Sequence, residues 1–231
     1  MATVQLKNVS RIYENGPVKV KAIDQLSLSL DYGEFAVLAG PSGSGKSTLL
    51  NLVGGLDRPT EGEIYLNEEL LNSKSDDELT QQRLHKIGFV FQAYNLVPVL
   101  SAYENVQFIL QIQGVPESEH SDRIMPLLAE LGLEGLENRK PPELSGGQQQ
   151  RVAVARAIVG RPSIILADEP TANLDSETAI SLLNMMEKLN QEQKVSFLFS
   201  SHDPRVISIA RRVINLHDGR LQEDHQKSAK N

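Results

Sequence analysis

Gly40-Pro41-Ser42-Gly43-Ser44-Gly45-Lys46-Ser47 fits the pattern G-x-x-x-x-G-K-[ST], and further small residues inside it keep the backbone open. Its amides can converge on phosphate oxygens, aided by the positive end of a following helix. In that arrangement Lys46 reaches the β- and γ-phosphates and the Ser47 hydroxyl ligates Mg²⁺. A plain Gly/Ser turn is the bland alternative. Against it, the apolar run Phe35-Ala36-Val37-Leu38-Ala39 enters the loop, and helical spacing from Ser47 to Val53 leaves it.

Outward from the loop, the pattern alternates from Val4 to Leu30, broken by the turn signal Glu14-Asn15-Gly16-Pro17, and predicts antiparallel strands. Asn95 to Leu136 carries helical spacing with Pro and Gly breaks, which predicts a mainly helical insert. Buried strands are expected at Ser163–Ala167 and Val195–Ser200, each after a helical segment. Such alternation indicates an α/β protein with a mainly parallel sheet, in which ligands collect outside the carboxyl ends of the strands. The polar stretch from Gln222 to Asn231 is expected to fray.

Ile164-Ile165-Leu166-Ala167-Asp168-Glu169 ends a buried strand on two carboxylates. Asp168 suits a Mg²⁺ shell and Glu169 suits polarising an attacking water; acidic residues that merely face water are the alternative. Phe197-Leu198-Phe199-Ser200-Ser201-His202 delivers a histidine to another strand end, where it suits a γ-phosphate and the positioning of Glu169 or the water. Taken alone, such a histidine is more often structural.

Leu144-Ser145-Gly146-Gly147-Gln148 opens a helical pattern, and Ser145 with Gln148 forms a capping box. A well-capped helix start does not explain two glycines in the first turn, each of which costs about 1 kcal/mol against alanine. They bare amides beside a serine hydroxyl, a second anion site in a chain that already has one.

These motifs, in this order over nearly the whole chain, resemble the nucleotide-binding subunit of ATP-binding cassette (ABC) transporters. The resemblance implies a P-loop NTPase, RecA-like core at about 33–92 and 160–221, an antiparallel β region at about 1–32, a helical subdomain at about 93–159, and a flexible tail at 222–231. It implies ATP and Mg²⁺, held by Gly40, Pro41, Ser42, Gly43, Ser44, Gly45, Lys46, Ser47 and Thr48. Ser145, Gly146, Gly147 and Gln148 of a second copy would complete the site in a head-to-tail dimer. It also implies that Gln92 lies near Mg²⁺ and the permease contact and that Asn173-Leu174-Asp175 crosses the dimer seam, with Asp175 near the nucleotide. Lys46, Gln92, Glu169 and His202 would be the catalytic set, with Ser47, Gln92 and Asp168 around the metal. Tyr13 matches the residue that stacks on adenine; Tyr32, in a turn, is a weaker rival.

Residues 40–64 and 89–106 are similar to the bacterial lipoprotein-releasing, macrolide-export and cell-division ATPases, whose permeases carry large extracytoplasmic domains. The apolar residues Tyr94, Leu96, Val97, Pro98, Val99 and Leu100 are expected to dock a permease if exposed and to be core if buried. The alternative function is a regulatory ATPase that controls a membrane partner without a transported substrate.

Composition agrees. With 231 residues, 40% hydrophobic, the chain can bury a core as one domain. A net charge of −7 without a basic stripe excludes nucleic acid as an expected ligand. The lack of cysteine excludes disulfides and thiol chemistry. No apolar run approaches a membrane span and no secretory signal opens the chain, so the expected place is cytoplasmic, peripheral on the inner face of the membrane through a permease. The short stretch after His202 is expected to leave no room for a regulatory C-terminal domain.

Overall fold

The computed structural model describes residues 2–16 and 18–227. Two sheets share the molecule. Strands β1 (Ala2–Asn15), β2 (Val18–Asp31), β4 (Glu61–Leu66) and β5 (Glu69–Leu70) form an antiparallel sheet in the order β2-β1-β4-β5. Strands β3 (Phe35–Ala39), β6 (Ile87–Val90), β7 (Ile164–Asp168), β8 (Ser196–Ser200), β9 (Arg212–His217) and β10 (Arg220–Gln226) form the second, in the order β10-β9-β3-β8-β7-β6. All neighbours in it run parallel except β9 and β10.

The central strands are apolar on both faces because both faces are covered. Phe35, Val37, Phe197, Phe199, Ile165 and Ala167 point into one core with α3 (Ala102–Ile112), α4 (His120–Glu130), α5 (Gly146–Ile158) and α6 (Ser176–Gln193). Ala36, Leu38, Leu198, Ile164 and Leu166 point into the other, with α1 (Lys46–Val53) and the antiparallel sheet. The period of two in each strand thus assigns alternate residues to two layers. The Phe35 and Phe199 rings meet edge to face, 4.8 Å between centroids.

Two segments differ from the sequence reading. Residues 61–70, expected in the nucleotide-binding core, join the antiparallel sheet instead, where Val4 pairs with Leu66 and Leu6 with Ile64. The fraying expected from Gln222 does not occur as far as Gln226, because β10 pairs with β9; residues 228–231 lie outside the described residues. Arg212 of β9 anchors that edge. Its guanidinium donates to Asp224 at 2.7 and 2.8 Å, to Glu34 at 2.8 and 2.9 Å and to the Ser29 carbonyl at 2.8 Å. The Asp224 bond and the two carboxylates raise the Arg212 pKa, while burial holds Glu34 above its ordinary value although Arg212 pulls it down. Arg212→Met leaves Glu34 half-desolvated without its cation. The expected cost is about 2–4 kcal/mol, read as a thermal midpoint lower by roughly 5–15 °C.

Candidate active site

Four parallel strands bring their carboxyl ends to one edge of the sheet. From β3 the chain enters residues 40–45 and then α1; from β6 it reaches Gln92; from β7, Asp168 and Glu169; and from β8, Ser201 and His202. Strand β6 explains why Gln92, placed in the sequence only by resemblance, belongs with the others. These segments line one cavity of about 840 Å³ that includes Pro41, Ser42, Gly43, Gly45, Lys46, Ser47, Thr48, Gln92, Glu169 and His202.

The loop needs its glycine before the lysine. Gly45 has φ +101°, and a Cβ there would stand 2.5 Å from the Ala22 carbonyl oxygen. Lys46 is buried, and its ammonium donates to the Gly40 and Pro41 carbonyls at 2.8 and 2.9 Å, leaving one N–H of three. The Ser47 hydroxyl donates to Asp168 Oδ1 at 3.2 Å, so the hydroxyl and the carboxylate expected at the metal are adjacent.

Both oxygens of Glu169 are held. The Ser201 hydroxyl donates to Oε2 at 2.8 Å, and His202 Nδ1 lies 2.7 Å from Oε1, with the proton of that tautomer on Nδ1. The Glu169 backbone is left-handed, φ +44°, a conformation that costs a non-glycine residue on the order of 1–2 kcal/mol. Its amide donates to the Ser200 carbonyl at 2.9 Å, fixing the bend. The sequence reading missed Ser201. The signal was available, since it sits between the last strand residue and His202. Asp218, also in the cavity wall, gave no signal of its own.

Ser145, Gly146, Gly147, Gln148 and Asp175 do not line this cavity. Ser145 is the exposed N-cap of α5, and the capping box is formed: its hydroxyl accepts from the Gln148 amide at 3.3 Å and its amide donates to Gln148 Oε1 at 2.8 Å. Gly147 has a packing reason that its sequence context hides, because a Cβ there would stand 2.3 Å from the Thr178 methyl. Asp175 caps α6. Its carboxylate accepts from the Thr178 hydroxyl and amide, which hold its pKa below the ordinary value. Tyr13 also lies outside the cavity wall, where its strand partner Val20 stands. Its hydroxyl donates to Asp57 at 2.7 Å and its ring lies under the Arg11 guanidinium. Tyr32 lines a different cavity, beside α4.

The apolar loop after Gln92 divides. Val97, Pro98 and Val99 are exposed, Val99 at 70%, while Tyr94, Leu96 and Leu100 are partly buried. Among the described residues, no helix is long and apolar enough to cross a membrane.

A phosphate loop, an acidic strand end and a histidine on one sheet edge define a nucleotide-hydrolysing α/β protein. The sequence profile of the ABC transporter family matches residues 23–172, and the chain belongs to that family as an ATP-binding, ATP-hydrolysing cassette. It is 44% identical to the uncharacterised ABC transporter ATP-binding protein MJ0796 of Methanocaldococcus jannaschii over 96% of this chain and 97% of that one. It is 43% identical to the lipoprotein-releasing system ATP-binding protein LolD of Chromohalobacter salexigens, over 96% of this chain and 93% of that one. It is 45% identical to the macrolide export ATP-binding/permease protein MacB of Hyphomonas neptunium, covering 96% of this chain but 34% of that longer protein. A solved dimer of the MJ0796 cassette, in a post-hydrolysis state bound to ADP and Pi, superposes with a TM-score of 0.88 over 96% of this chain and 98% of that one, at 44% identity.

Proposed function

We propose that two copies of this chain hydrolyse ATP at sites each shared between them, and that they drive a separate membrane permease with a large extracytoplasmic domain from the inner face of the membrane. One observation carries the reading. A single chain gathers Lys46, Ser47, Gln92, Glu169 and His202 in one cavity, yet leaves the second anion site at Ser145 exposed and outside it. A second chain, turned head to tail, is what brings the two together, and the dimeric relative supports this.

In this reading the residue 40–48 loop cradles the phosphates and Lys46 directs its remaining N–H to them. Asp168 and Ser47 give a carboxylate and a hydroxyl side by side, the limited protein donor set with which Mg²⁺ is held when substrate phosphates and water complete its shell. Bound there, the ion neutralises charge on the β- and γ-phosphate oxygens. Gln92 faces the same space. Glu169 accepts the proton of the attacking water, Ser201 and His202 fix its orientation, and an imidazolium at His202 donates from Nε2 to the γ-phosphate while Nδ1 holds Glu169. Ser145, with the amides of Gly146 and Gly147, contacts that phosphate from the partner, Gln148 braces Ser145 through the capping box, and Asp175 lies at the seam. Tyr13 is the proposed adenine platform, and Val97, Pro98 and Val99 the permease contact. Two relatives, LolD and MacB, carry names that denote release and export, which favours transport over the purely regulatory alternative.

If catalysis is shared, the rate of phosphate release from the purified chain rises with the square of protein concentration while monomer predominates. A rate strictly proportional to concentration down to nanomolar protein sinks the shared site.

A further inference from the structure

The loop that follows Gln92 is hydrogen-bonded to the helix that carries Ser145 at one point and packs closely against it at another. In the third turn of α5, the Arg156 guanidinium donates to the carbonyls of both Tyr94 and Asn95, the former at 2.9 Å. These two residues are consecutive and both left-handed, φ +52°, a conformation that side chains disfavour and that two shared hydrogen bonds can hold. Arg156 has no other evident task. No carboxylate pairs with it among the described residues, and burial alone draws its pKa down. At the start of α5, the Tyr94 hydroxyl abuts Gly146: a Cβ added there would stand 2.8 Å from that oxygen. The same helix reaches back through buried Gln150, whose amide donates to the Pro170 carbonyl at 2.9 Å.

We infer that Arg156 and Tyr94 are positioning residues that make the loop after Gln92 and the helix start at Ser145 move as one piece. Displacement of the exposed Val97–Val99 tip is then carried to the anion site that the second copy meets, without passing through the phosphate loop. The inference rests on the shared-site reading above.

The test uses the full chain carrying Glu169→Gln, with ATP binding measured at protein concentrations too low for dimers and dimer formation followed by sedimentation. Adding Arg156→Met is expected to leave ATP affinity within about twofold and to raise the ATP concentration for half-maximal dimerisation by roughly tenfold. Arg156→Lys keeps the charge but not the two-pronged contact, and is expected to fall between. Tyr94→Ala tests the other contact, and carries the test alone if Arg156→Met fails to fold. Unchanged dimerisation, or binding and dimerisation falling together, overturns the inference. Absence of an ATP-dependent dimer in Glu169→Gln itself overturns the shared-site reading instead.

Discussion

Glu169→Gln is expected to leave ATP binding intact, cut phosphate release by roughly 10²–10⁴-fold, and accumulate an ATP-bound dimer. The side chain keeps its shape, so the phosphate contacts of residues 40–48 persist. What is lost is the anionic oxygen proposed to take a proton from water. The surrounding bonds sharpen the effect, because Ser201 and His202 both donate to the native carboxylate, and an amide presents a nitrogen to one of those donors. Single-turnover phosphate release, with sedimentation in ATP, measures both parts. Hydrolysis at the native rate would show that Glu169 is not the base.

Ser145→Tyr is expected to spare nucleotide binding by each chain and to lower turnover by about 10²-fold or more, since a bulky ring at an exposed N-cap holds the second copy away from the phosphate. The shared site makes a sharper claim when this variant is mixed with Lys46→Met, which is expected to lose ATP binding together with the charged donor proposed for the phosphates. Each protein alone is inactive. Their heterodimer contains one intact composite site, and random pairing restores at most roughly a quarter of the native activity. No recovery in the mixture, with both variants folded, would sink the composite geometry.

Much of this site was legible in the sequence, for identifiable reasons. Residues 40–48, Asp168-Glu169 and His202 stand where continuous apolar runs end, and a parallel sheet gathers strand ends. Gln92 was harder. Its strand, β6, has only four residues and follows the polar helix α2 (Asp76–Lys86), of which Leu79 alone is buried. The one local signal there was the capping box of Ser75 and Glu78. Strand β10 gave no alternation because only Leu221 is even partly buried in it, and Arg212 on the neighbouring strand supplies what periodicity could not show. The glycines of the second anion site were read as baring amides. The structure adds close approach, of Tyr94 to Gly146 and of Thr178 to Gly147, which no spacing rule encodes.

Strand β10 closes one edge of the six-stranded sheet and presents Arg220, Gln222, Glu223, Asp224 and His225 to solvent. A row of free backbone donors and acceptors at a sheet edge invites another chain to add a strand, and charged side chains discourage it. The proposed cycle makes and breaks a dimer with every pair of ATP molecules, so the same polypeptide must stay dispersed whenever its seam is open. A charged, tightly braced border steers self-association away from strand addition, which would not be undone by hydrolysis, and leaves the nucleotide-bridged face as the reversible contact.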